Sequence, residues 1–318
     1  MERIKIAILD SATLGNDIDL SVFDRLGDTE IYSLTARELI AERISDADVC
    51  VINKVRLDEC VLKDAKKLKL ICVAATGYDN IDTIYCKENG IAVCNVAGYS
   101  TNSVSQLTLA MVLSASVNLN AFSKSVADGS YSRGSVQNIL TPVYHELAGK
   151  TWGIIGYGGI GKKVGDAARA LGCNVVVHKR TPIDEVPCLS LDELLKVSDI
   201  ITIHVPLNDG TRKMISEREI SLMKDGVFLV NVARGAVLDE EAVAKAAESG
   251  KIGFFGCDVY STEPMPETHP FYRIRGLDNV CLTPHMAWGA FEARERCMNE
   301  ICENIKVFFN GGTRNRIV

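Results

Sequence analysis

No stretch of this 318-residue sequence is apolar for long enough to cross a membrane, and nowhere do lysine and arginine gather into a block. The opening MERIKIAILD turns acidic after one short apolar run, well below the length of a signal core, so no targeting segment is expected. With a net charge of −6 the chain also lacks the concentrated basic face that phosphate backbones demand, which excludes a nucleic-acid surface. Its eleven cysteines form no C-x-x-C pair and no Cys/His group at zinc-ligand spacing, so no metal centre is expected. Several lie in strand-like apolar runs, Cys72 in LKLICVAA and Cys94 in IAVCNV among them, and read as buried free thiols of a reducing cytoplasm. Repeats of solenoid period and low-complexity linkers are absent too.

What is present is ample apolar material, 47% of residues, in a chain longer than one core usually serves, so two domains are expected. Short apolar runs alternate with helix-like stretches: IKIAIL, ADVCVIN, LKLICVAA and GIAVCNV first, then from Thr151 TWGIIG, CNVVVH, DIITIHV, GVFLVNV, GFFGCDV and NVCLTP. Continuous apolar strands separated by helices predict parallel sheets covered on both faces, hence an α/β fold of two doubly wound, Rossmann-like domains with a cleft between them. Between the halves, SVSQLTLAMVLSASVNLNAFSKSVADG has the apolar period of one long helix, with Ser100, Thr101 or Asn102 as its cap. A last helix, roughly Ala290 to Phe309, is expected to cross back to the first half.

Gly156-Tyr157-Gly158-Gly159-Ile160-Gly161 has G-x-G-x-x-G spacing, follows the strand TWGII and opens a helical run. In that context Gly156 permits a tight turn, Gly158 lets backbone approach a pyrophosphate, and Gly161 lets helix and strand pack closely. The helix N-terminus offers its unpaired N–H groups to the phosphates. An NAD site usually carries an acid at the end of the next strand, but CNVVVH runs into Lys179-Arg180-Thr181. Lys179 and Arg180 suit a 2′-phosphate, which favours NADP(H), with NAD(H) as the alternative. Either that pair binds the phosphate or it is a solvated loop, with Asp184 or Glu185 reaching back to a ribose hydroxyl.

Three residues follow strands of the second half: Arg234 in NVARGAVLDE, Glu263 in DVYSTEP and His285 in TPHMAWGA. Strand ends beside the dinucleotide crevice are where this architecture holds its chemistry. Histidine titrates near neutrality and suits a general acid and base, while arginine can pair with a carboxylate and polarise a carbonyl oxygen.

These motifs, with the glycine loop, AATGYDNID and NVAGYSTNSVSQ, resemble the D-isomer-specific 2-hydroxyacid dehydrogenase family over essentially the whole chain. Within it, GYSTNSVSQ and PHMAWGAFEARER are most similar to glycerate dehydrogenases, also called hydroxypyruvate reductases. The resemblance implies Arg234, Glu263 and His285 as catalytic residues, and backbone N–H groups at Thr76 and Gly77 as holders of the substrate carboxylate. It further implies that Thr76, Val205, Val232 and Asp258 line the nicotinamide end, with Gly159 and Ile160 at the phosphates. Asp258 could instead only stabilise the turn carrying Glu263, and Trp288 either walls the substrate pocket or anchors the last helix. Residues 1–98 and 288–318 then form a flavodoxin-like substrate-binding domain, and 99–287 an NAD(P)-binding Rossmann domain. The long helix after Ser100 resembles the family's dimer-forming arm, so a homodimer is expected. Two departures stand out: Gln106 replaces a common Glu, and Lys179 the usual ribose-binding acid. The implied reaction is hydride transfer between NAD(P)H and a small 2-keto acid, hydroxypyruvate or glyoxylate first. A larger aliphatic or aromatic 2-keto acid is the second reading. A dinucleotide-sensing binding protein like the C-terminal-binding corepressors is the third.

Overall fold

A computed structural model describes residues 3–318. The chain divides into two compact units, one running up to Ser100 and resumed at Gly289–Val318, the other spanning Thr101–Trp288.

The first unit is a five-stranded parallel sheet of β1 (Ile4–Ile8), β2 (Gly27–Ile31), β3 (Val49–Ile52), β4 (Leu70–Val73) and β5 (Ala92–Cys94), in the order β2-β1-β3-β4-β5. That is the flavodoxin-like order. β3, β4 and β5 are buried at every residue, as strands covered on both faces must be, and this is why they read as unbroken apolar runs. β2, with the sequence GDTEI, was not among the expected strands; it is a mostly exposed edge strand and needs no apolar face. The helix Phe291–Phe309 returns to this unit, burying Cys297, Ile301 and Ile305 along one side. Arg294 anchors it by donating to the Leu14 carbonyl and to both carboxylate oxygens of Asp17, and Asn304 donates to the Asn95 carbonyl at 3.1 Å.

The second unit is a six-stranded parallel sheet of β6 (Thr151–Ile155), β7 (Asn174–His178), β8 (Ile200–Ile203), β9 (Val227–Asn231), β10 (Ile252–Cys257) and β11 (Val280–Leu282), ordered β11-β10-β9-β8-β6-β7. All six were legible as apolar runs. The expected single helix before them is two, Thr101–Ser116 and Leu119–Ala127, because Asn118 adopts a left-handed backbone (φ 50°) that stops the first and starts the second. The second of these helices buries none of its residues, and residues 128–147 that follow are almost wholly exposed.

Candidate active site

The strand order of the second unit reverses between β6 and β8, and in such sheets the crevice beyond the carboxyl ends at that point is where ligands bind. Two turns meet there. Gly156, directly after β6, has φ 93°, and a Cβ on it would lie 2.8 Å from the carbonyl carbon and oxygen of His204 and from the Val205 side chain, directly after β8. Only glycine fits. A Cβ on Gly158 would meet nothing within 4 Å, so the backbone there is open to a close-approaching group. The helix Gly159–Ala170 starts at this turn with no acidic residue in its first turn and no side chain capping Gly158. Its first residues, Gly159 and Ile160, lie at the surface, whereas Gly161 is buried with room for no Cβ against the Gly156 carbonyl. The open backbone and uncapped amides fit a pyrophosphate.

Beyond β10 and β11 two loops bring Glu263 and His285 together. His285 Nδ1 lies 2.7 Å from Glu263 Oε2, and Oε1 of the same carboxylate accepts the Tyr260 amide at 3.0 Å. Both side chains are mostly enclosed. With Nδ1 committed to the carboxylate, proton exchange with a reactant falls to Nε2. His285 has φ 51°, an unusual conformation for a non-glycine residue, held by its neighbours. The holder is Asp258. Its Oδ1 accepts from the Thr283 hydroxyl at 2.6 Å and the Met286 amide at 2.9 Å, and its Oδ2 from the Ala287 amide at 2.9 Å. Burial raises the Asp258 pKa, opposed by those donors and by the charge of His285. Asp258 thus braces the loop on which His285 sits.

Arg234 follows β9 on a turn built by Asn231, which is fully buried; its amide oxygen accepts from Ala233 N–H and its amide nitrogen donates to the Arg234 carbonyl. Gly235, the next residue, packs against the Tyr260–Ser261 backbone so tightly that a Cβ would come within 2.1 Å of it. The loops carrying Arg234 and Glu263 are therefore in direct contact. Val232, at the foot of the same turn, is buried, and Val205 is half-buried.

Lys179 is half-buried and Arg180 exposed at the end of β7, and neither makes an ion pair among the described residues, while Glu185 pairs with Lys162 at 3.5 Å. Trp288 packs against the hydrophobic cluster of Val104, Met111 and Trp152. Thr76 and Gly77 belong to the first unit, in the turn after β4. The Thr76 hydroxyl donates to the Val96 carbonyl and its carbonyl accepts from Asn95, which pins the turn.

Three residues escaped sequence reasoning: Asn231, Glu240 and His204. His204 ends the run DIITIH, and both ring nitrogens are buried without a partner among the described residues. Burial alone depresses its pKa from 6.5 to about 3, so the ring is neutral. The signal available for it was position, a polar residue leaving a buried strand at the switch point. A hollow of this unit also lies away from these turns, between residues 141–147 and the amino ends of β8 to β11.

Residues 109–287 match the model of the D-isomer specific 2-hydroxyacid dehydrogenase NAD-binding domain. A hydroxypyruvate reductase of Blautia hydrogenotrophica is 35% identical over 98% of this chain and 99% of its own. Two solved structures are similar throughout. The D-lactate dehydrogenase of Aquifex aeolicus, complexed with NAD and lactic acid, has a TM-score of 0.86 and 30% identity, covering 99% of both chains. An acyclic imino acid reductase in complex with NADPH and D-Arg has a TM-score of 0.88 and 28% identity, covering 99% of this chain and 100% of its own.

Proposed function

The chain belongs to the D-isomer specific 2-hydroxyacid dehydrogenase family, and on that premise we propose that it reduces hydroxypyruvate or glyoxylate, giving D-glycerate or glycolate. The observation that carries this reading is the 2.7 Å pairing of His285 with Glu263 beside an Asp258-braced loop. It is an oxidoreductase of CH–OH donors that uses a nicotinamide dinucleotide. When bound, the reduced nicotinamide supplies a hydride to the keto carbon.

As charge builds on the keto oxygen, His285 gives it the Nε2 proton, and the O–H bond forms as the N–H bond breaks. Glu263 stabilises the imidazolium before that transfer and keeps the ring oriented after it. Arg234 pairs with the substrate carboxylate and draws density from the keto oxygen. Thr76 and Gly77 are the first unit's candidates for holding that carboxylate by backbone N–H groups. Gly156, Gly158, Gly159, Ile160 and Gly161 are assigned to the pyrophosphate, and Thr76, Val205 and Val232 to the nicotinamide end. Asp258, with its oxygens engaged by Thr283, Met286 and Ala287, is assigned to the His285 loop. Trp288 is assigned to the substrate pocket from its place three residues after His285.

Lys179 and Arg180, unpaired with any acid among the described residues, are assigned to the 2′-phosphate of NADP(H), with NAD(H) as the alternative. A homodimer is supported by the arm: Leu119, Val126, Val136, Leu140 and Val143 are all more than half exposed, an apolar surface that a second copy would cover. Eleven free thiols, most of them buried, support a cytoplasmic location. Steady-state oxidation of NADH and NADPH with hydroxypyruvate, glyoxylate, pyruvate and a branched 2-keto acid tests the reading. Turnover with none of them would replace it with dinucleotide sensing. A strong preference for the branched acid would move the substrate class.

A further inference from the structure

A buried acid in the second unit has no part in the chemistry assigned above. Glu240 opens the helix Glu240–Glu248, six residues after Arg234, and its side chain is only 10% exposed. Its Oε2 lies 2.9 Å from Nε2 of His269, which is itself 3% exposed. His269 Nδ1 accepts the Phe271 amide at 3.1 Å, so the ring proton belongs on Nε2, facing the carboxylate. That contact bends away from the N–H axis, which makes it electrostatic first and a hydrogen bond second. A carboxylate so enclosed is costly unless its oxygens find donors. Here the other donors come from a single residue: the Ser261 amide donates to Oε1 at 2.8 Å, and the Ser261 hydroxyl to Oε2 at 2.5 Å.

Ser261 sits in the middle of the turn that ends in Glu263, next to Tyr260, whose amide completes the Glu263 carboxylate. Tyr260 also stands edge-on to the His269 ring, with centroids 5.7 Å apart. Ser261 itself is exposed, so water could satisfy its polar groups; what the bond to Glu240 adds is placement. We infer that Glu240, backed by His269, is a positioning residue that fixes the Tyr260–Glu263 turn where its carboxylate meets His285. This rests on His285 being the acid–base group. Glu263, which bonds it, and Asp258, behind its loop, are titratable neighbours of His285. Tyr260 and Cys257 flank those acids, Cys281 lies near Tyr260, and burial drives all three toward their neutral forms. Arg234 reaches the turn through Gly235. Of these groups, only those on the turn answer to Glu240 directly.

The test is the low-field proton NMR resonance of His285 Nδ1–H, which points at Glu263, in the protein without substrate, identified by its loss in His285→Ala. Glu263→Gln should move that resonance upfield, because a charged acceptor makes the stronger bond. Glu240→Ala should reproduce at least half of that displacement and lower kcat roughly tenfold, with dinucleotide affinity within about twofold. Glu240→Gln, which still offers Ser261 an acceptor, should fall between Glu240→Ala and the parent. A Glu240→Ala protein that melts earlier yet keeps the parent resonance would overturn the inference and leave the acid–base reading standing. A Glu263→Gln protein that keeps the parent resonance would overturn both. If Glu240→Ala does not fold, Glu240→Gln decides, and an unmoved resonance there counts against the inference.

Discussion

Replacing Gly235 by alanine adds one methyl group where the Arg234 and Glu263 loops touch. The new Cβ would stand 2.1 Å from the Tyr260 carbonyl carbon, 2.3 Å from the Ser261 nitrogen and 2.5 Å from the Tyr260 Cα, all of them backbone atoms with no rotamer to change. Ordinary contact begins near 3.4 Å, so the turn must retreat by roughly 1.3 Å. The Tyr260 amide and Glu263 move with it, and the 2.7 Å bond to His285 Nδ1 cannot survive a displacement of that size. A misplacement of about an ångström costs on the order of a hundredfold in rate, or about 2.7 kcal/mol of barrier. Overpacking should destabilise the fold by about 1–3 kcal/mol as well. Steady-state nicotinamide oxidation with hydroxypyruvate, read beside a urea melt, separates the two effects. Near-parental kcat in a folded Gly235→Ala protein would refute the claim that this backbone contact sets the position of Glu263.

His285→Ala should lower kcat by roughly a hundredfold to ten-thousandfold while dinucleotide affinity, measured by fluorescence titration, changes little; equal losses in both would indicate a structural histidine. Changing Lys179 and Arg180 together to alanine should weaken NADPH by roughly tenfold to a hundredfold and spare NADH, and an unchanged ratio of the two Kd values would end the 2′-phosphate assignment. His204 has a folded pKa of about 3, below its ordinary 6.5, so the folded state binds a proton less readily than the unfolded chain. Its contribution is fully present above pH 6.5 and is lost as pH falls toward 3, on the order of 2–3 kcal/mol by pH 4.5. His204→Leu should therefore flatten urea stability between pH 7 and 4.5, and parallel losses in parent and variant would contradict a buried neutral ring.

Much of the fold was readable because buried parallel strands announce themselves. VCVI and LICV are apolar without interruption since both faces of their sheet are covered. GDTEI was invisible for the opposite reason, an edge strand with little to bury. The helix after Ser100 kept its apolar period through Asn118, so nothing in the pattern marked the left-handed residue that divides it. At the site, Glu263, His285 and Asp258 could be proposed from their motifs, but Asn231 and Glu240 act through backbone amides and loop contacts that residue type alone does not encode. His204 is legible only once β6 and β8 are known to be neighbours.

The discontinuous first unit has a consequence for synthesis. A ribosome delivers β1 to β5 early, but the helix Phe291–Phe309 that packs on β4 comes only after the whole Thr101–Trp288 segment, a delay on the order of ten seconds or more. Through that interval the nascent sheet keeps one oily side bare, with Cys72 on the strand awaiting its lid. A stop codon near the 3′ end of the message therefore does its first damage to the residues translated at the beginning.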